Sequence, residues 1–142
     1  MNATLLLRIA SVVGLLFAVG HTSGGPWTPS GEAGAASVVE AMKSVSFDAM
    51  GTNRSYWEFY FGFGVSISVY MFVQAALLWL HGTLAKVQPA SVRPFVVVLL
   101  ASYAANGFVA WRYFFVLPLV LSVAMVICLA LALFASSARV GA

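Results

Sequence analysis

Three side chains with acid, base or anion-binding chemistry stand beside apolar runs: His21, Glu58 and Arg112. An imidazole titrates near neutrality, a carboxylate taken out of water holds its proton more tightly, and a guanidinium offers an anion a planar fork of donors. Around Glu58, the stretch F-D-A-M-G-T-N-R-S-Y-W-E-F-Y-F-G-F-G over residues 47–64 supplies Phe47, Arg54, Tyr56, Trp57, Tyr60, Phe63 and Gly64. Consecutive aromatics cover every side of a helix. With Gly62 and Gly64 leaving room beside them, they suit a slot for an acyl chain or flat apolar ring, and Arg54 or Arg112 suits an anionic head. In the same slot Glu58 and His21 would serve as acid and base of an isomerase or transferase. Plainer roles compete: Glu58 as a helix cap, Arg112 as an interfacial anchor, His21 as a solvated helix end and the aromatics as a membrane-interface belt.

The elements that must position these groups follow from composition. A chain of 142 residues that is 62% hydrophobic and 8% charged cannot hide its apolar surface in one small water-soluble core. About 20 apolar residues cross the hydrocarbon of a bilayer, and four such stretches occur, at about 5–21, 56–80, 95–111 and 114–135. The expected fold is all-α: one domain over 1–142, a four-helix transmembrane bundle with a short amphipathic extracytoplasmic helix between the first two spans. The run from Phe95 to Ala135 is too long for one span, and Arg112 sits near its middle among Trp111, Tyr113, Phe114 and Phe115. It reads as a hairpin whose tip lies at a membrane surface.

The net charge of +3 is small and scattered, so nucleic acid is not an expected partner; membrane lipid or an apolar small molecule is. Charge reports orientation instead. Arg8, Lys86, Arg93 and Arg139 fall on one side with no acid, whereas Lys43, Arg54 and Arg112 share the other with Glu32, Glu40, Asp48 and Glu58. Lysine and arginine favour the cytoplasm, which places both termini there and the long first loop outside.

In chain order, Arg8, a short apolar run and Ala18-Val19-Gly20 resemble a secretory signal; we read the segment as a retained span with Arg8 reaching the headgroups. His21-Thr22-Ser23-Gly24-Gly25-Pro26-Trp27-Thr28-Pro29 breaks the helix, and Trp27 suits the interface. Ser37-Val38-Val39-Glu40 has the form of a capping box, predicting a surface helix over about 38–50 that stops at Gly51. On its helical wheel Phe47 falls among the polar residues, as though that side were also covered. Asp48 and Arg54 are expected to pair and brace this helix. Ser55-Tyr56-Trp57-Glu58 repeats the capping pattern and opens the second span. There Gly62 with Ser66, and Gly64 with Ser68, form small-xxx-small pairs that admit a neighbouring helix closely. That feature supports a third reading, an oligomeric or accessory subunit of a membrane complex or transporter. Asn106 falls inside the third span, where an amide needs a partner; with Trp111 it is a candidate ligand contact, the expected pocket opening toward the outer leaflet between spans one, two and three.

No H-E-x-x-H, C-x-x-C, G-x-S-x-G or Walker loop occurs, so neither a cofactor nor a metal is expected. Cys128 stands alone and reads as apolar packing.

His21-Thr22-Ser23-Gly24-Gly25, the 47–64 stretch and Tyr113-Phe114-Phe115-Val116-Leu117-Pro118 together resemble a family of small bacterial four-span membrane proteins. That resemblance implies a bacterial inner-membrane location and brings no activity with it. The chain is similar in size class to four-span sterol isomerases of the emopamil-binding type, but lacks their pair of intramembrane carboxylates; it is comparable at the same level with DoxX-like four-span proteins.

Overall fold

Long apolar runs ended by glycine, proline and capping side chains set the element order. The structure, a computed structural model, describes residues 2–24 and 30–137. The elements are α1 (Ala3–Gly24), α2 (Ala35–Ser44), β1 (Ser46–Ala49), β2 (Thr52–Ser55), α3 (Tyr56–Leu84), α4 (Arg93–Tyr113) and α5 (Val116–Ser137). The chain is an all-α bundle in which α1, α3, α4 and α5 are each long and apolar enough to cross a membrane. It is an integral membrane protein. Trp27 and Arg139, both given roles above, lie outside the described residues.

Helix starts are chemically marked. Asn2 Oδ1 accepts from Leu5 N at 2.8 Å, capping α1. Pro94 stands in the first turn of α4, where its missing N–H costs nothing. The expected hairpin is present: α4 ends at Tyr113, Phe114 N donates to Ala110 O at 3.0 Å, and α5 begins at Val116.

The predicted surface helix needs correction. It begins at Ala35 and ends at Ser44, and an antiparallel hairpin occupies most of the second half of the predicted range. Ser37 is not the cap; its hydroxyl donates to Gly34 O at 2.7 Å. Val45 turns extended at φ −91° and ψ 118°, which suits a β-branched residue. Met50 (φ 55°) and Gly51 (φ 84°) then carry the left-handed pair of backbone angles of a tight hairpin turn. Along β1 the side chains alternate, so Phe47 and Ala49 share the half-buried face. That period of two accounts for Phe47, which a helical wheel puts among polar residues.

Two compact units divide the chain: Met1–Phe17 with Met71–Ala142, and Ala18–Tyr70. In the first, Leu6, Leu7, Leu78, Val92, Val96, Tyr103, Met125 and Leu129 form the buried core. Small residues let the helices meet. A Cβ at Gly14 would stand 3.7 Å from Ala75, Tyr103 and Met125 side chains, and one at Gly82 would stand 3.3 Å from both Thr4 O and Arg8 Cγ. Polar bonds join the same surfaces: Ser11 Oγ donates to Ala75 O at 2.7 Å, and Asn106 Nδ2 donates to Ser122 Oγ at 2.9 Å.

The second unit comprises the end of α1, α2, the hairpin and the first half of α3. Within it, Tyr56 N donates to Val45 O at 3.3 Å, tying the mouth of the hairpin to the start of α3.

Gly82→Leu is expected to destabilise the protein by about 1–3 kcal/mol, the range for overfilling a packed contact, because backbone blocks the new side chain. Gly20→Leu, where nothing lies within 4 Å, is expected to leave stability unchanged. Thermal unfolding in one detergent checks both; equal Tm values for the two variants would contradict the packing described.

Candidate functional site

The second unit carries a shallow, open groove of about 300 Å³ lined by Arg54, Glu58, Phe59, Gly62, Phe63 and Ser66. Four of these, Arg54, Glu58, Gly62 and Ser66, recur at intervals of four residues. That interval returns a helix nearly to the same face, so the groove runs along one stripe of α3 and begins at its charged end.

The charged end is built by the cap of α3. Ser55 N donates to Glu58 Oε2 at 2.7 Å, and Glu58 N donates to Ser55 Oγ at 3.2 Å, the reciprocal bonds expected of the capping box. The other carboxylate oxygen, Oε1, accepts from Arg54 Nη1 at 3.3 Å. Arg54 therefore pairs with Glu58, and the expected Asp48–Arg54 pair is replaced: in the hairpin register Asp48 faces Asn53, and Arg54 faces Phe47. Both members of the ion pair are half exposed, so the pair contributes little to stability and presents adjacent opposite charges at the groove's rim.

Aromatic rings form the wall. The Phe47 ring centroid lies 4.9 Å from Tyr56 and 5.1 Å from Phe59, and Phe59 lies 5.9 Å from Phe63. The hairpin thus delivers Phe47 as a brace behind Phe59. Gly62 forms the floor, with nothing within 4 Å of the position a Cβ would take.

Gly64 and Ser68, the other small pair, are used differently. Both are buried. Ser68 Oγ donates to Gly64 O at 3.2 Å, Thr22 Oγ1 donates to Ser68 Oγ at 3.0 Å, and His21 Nε2 lies 3.2 Å from Gly64 O. The end of α1 fills this face of α3, whereas the Gly62 and Ser66 face stays open.

Of the residues predicted for a site, Arg54, Glu58 and Phe63 line the groove and Phe47 supports it. Trp57 and Tyr60 form a separate cluster, with ring centroids 5.8 Å apart and Lys43 Nζ 5.3 Å over the Trp57 ring. Tyr56 packs on Phe47, and Gly64 is packed by α1. His21 and Glu58 address different faces of α3. Six residues separate Glu58 from the carbonyl that His21 meets, about 9 Å along the axis and about 120° around it. Asn106, Trp111 and Arg112 belong to the other unit. Asn106 is engaged with Ser122, the Trp111 ring lies 5.8 Å from Phe108, and Arg112 Cζ lies 5.1 Å over Tyr113. Phe59 and Gly62, expected as part of the aromatic slot, also line the groove, as does Ser66, which was expected only as the helix-packing partner of Gly62 although the four-residue repeat from Arg54 to Ser66 pointed to it. Among the described residues, no three histidine, cysteine or acidic side chains are grouped to hold a metal ion.

Comparison of the chain with known protein families, with curated proteins and with solved structures finds no match.

The cap can be tested separately from the groove. Ser55→Ala is expected to cost about 1 kcal/mol, whereas Glu58→Gln keeps an acceptor for Ser55 N and is expected to cost less. Thermal unfolding of both variants in one detergent distinguishes them; a larger loss for Glu58→Gln would show that the Arg54 ion pair, not the cap, holds the start of α3.

Proposed function

We propose that this protein binds an amphiphilic small molecule of the lipid, quinone or isoprenoid type in the groove of α3. The observation that carries the reading is the open Gly62 and Ser66 stripe, walled by Phe59 and Phe63 and ending at the Arg54–Glu58 pair. Apolar walls suit a chain or ring, and the ion pair suits a polar head. In this reading the groove opens toward the outer leaflet of a bacterial inner membrane, with both termini in the cytoplasm. The bacterial assignment rests on the motif resemblance, and the orientation on the distribution of lysine and arginine.

A second reading has its own support: the same stripe has the small-xxx-small form that receives a helix, so a second copy of this chain is the competing occupant. The enzymatic reading draws less support, since the described geometry commits both Glu58 oxygens to the cap and ion pair and directs His21 to another face of α3.

Gly62→Leu separates the first two, because the site has room for the side chain and the leucine fills the groove. Native mass spectrometry in a mild detergent is expected to show a stoichiometric small-molecule adduct on the natural protein, reduced about tenfold or more in Gly62→Leu, the scale of about 1.4 kcal/mol. An adduct retained equally by both would overturn the binding reading. A bare oligomer that Gly62→Leu converts to monomers would assign the groove to a second copy.

A further inference from the structure

A second anion-binding opportunity lies in the other unit, around Arg8. No aspartate or glutamate occurs anywhere in residues 1–17 or 71–142, while Arg8, Lys86 and Arg93 lie near the start of α1, the end of α3 and the start of α4, where their neighbours Leu7, Ala85 and Val92 share one buried cluster. These positive charges have no aspartate or glutamate of their own unit to meet. Arg8 is the least solvated of them in one respect: its Nε is buried and has no hydrogen-bond partner among the described residues. The guanidinium is also held in place. Its Cζ stands 4.7 Å from the centroid of the Trp79 ring, and the Arg8 stem packs at Gly82, where no side chain intervenes.

A partly desolvated guanidinium with no aspartate or glutamate in its own unit is costly unless an anion comes to it; the buried Nε marks that desolvation, and the Nη groups are the donors an outside anion would meet. The surroundings indicate the source of that anion. Leu5, Ile9, Trp79 and Leu80 are all exposed on helices apolar enough to cross a membrane, so the surface beside Arg8 suits acyl chains. Trp79 has the amphipathic ring that favours the headgroup level, and stacked arginine suits phosphate better than lysine does.

We propose that Arg8, stacked on Trp79, binds the phosphodiester of an anionic phospholipid at this end of the bundle, with Lys86 and Arg93 adding attraction for the same leaflet. The Nη donors of Arg8 take the phosphate oxygens, and the lipid chains lie along Leu5 and Ile9. This site is independent of the α3 groove, which belongs to the other unit.

The test is native mass spectrometry of the full chain from mixed micelles holding equal phosphatidylglycerol and phosphatidylcholine of the same acyl chains. The natural protein is expected to retain phosphatidylglycerol preferentially. Arg8→Gln should lower that preference about tenfold, more than the roughly fivefold of one charge in a diffuse basic field. Arg8→Lys and Trp79→Leu keep the net charge, so a diffuse field predicts no change for either; the site predicts a loss of about twofold or more, the lower end for one lost hydrogen bond or one lost cation–π contact. Trp79 is partly exposed, which keeps that variant informative if Arg8→Gln fails to fold. Unchanged preference in Arg8→Lys and Trp79→Leu, or equal losses in Arg8→Gln and Lys86→Gln, would overturn the proposal.

Discussion

Inside a bilayer a polar group must find its partner within the protein, and the rest of this structure depends on how the chain meets that demand. Hydroxyls turn back on their own helices: Ser68 to Gly64 O and Ser122 to Pro118 O, at 3.2 and 2.8 Å. Hydroxyls also join neighbouring helices. Ser68 receives Thr22, Ser122 receives the Asn106 amide, and Ser11 reaches Ala75 O. In water such bonds would contribute only about 0.5–1.5 kcal/mol each; in hydrocarbon, leaving them unmade is the costly alternative. Small residues bring the backbones close enough for them to form.

The first half of α3 shows how this divides one helix into two surfaces. On one side, Gly64 and Ser68 are covered by His21 and Thr22. On the other, the same spacing of small residues at Gly62 and Ser66 is left open and is bounded by Phe59, Phe63 and the Arg54–Glu58 pair. The hairpin contributes to both ends of this arrangement. Its second strand ends at Ser55, which caps α3, and its first strand places Phe47 against Phe59. A ten-residue helix and two four-residue strands therefore act as a brace for the mouth of the groove.

The spans were legible because length and apolarity alone select them, and the Ser55–Glu58 cap was legible because reciprocal capping needs only two residues at a fixed interval. The hairpin was not. Ser37 and Glu40 imitate a cap, and the apolar spacing from Val38 to Ala49 fits a helix; only the β-branched Val45 and the turn at Met50-Gly51 argue otherwise, and Gly51 serves equally well as a helix stop. At the site, the aromatics from Tyr56 to Phe63 surround the helix, so composition could not tell which of them face the groove. Phe59 and Phe63 do, whereas Trp57 and Tyr60 join Lys43 elsewhere on the unit. Arg8 read as a residue reaching outward to headgroups; its contact with Trp79 depends on the register between α1 and α3, which no local pattern encodes.

The most direct test of the groove is photo-crosslinking in bilayers with a fatty acid carrying a diazirine on its chain, mapped by peptide mass spectrometry. The account predicts that adducts concentrate on Phe59, Gly62, Phe63 and Ser66, above those on the equally apolar exposed residues Phe72, Val98 and Phe134. Adducts spread evenly over all these surfaces would contradict it, because they would mark ordinary boundary lipid and leave the groove without a preferred occupant.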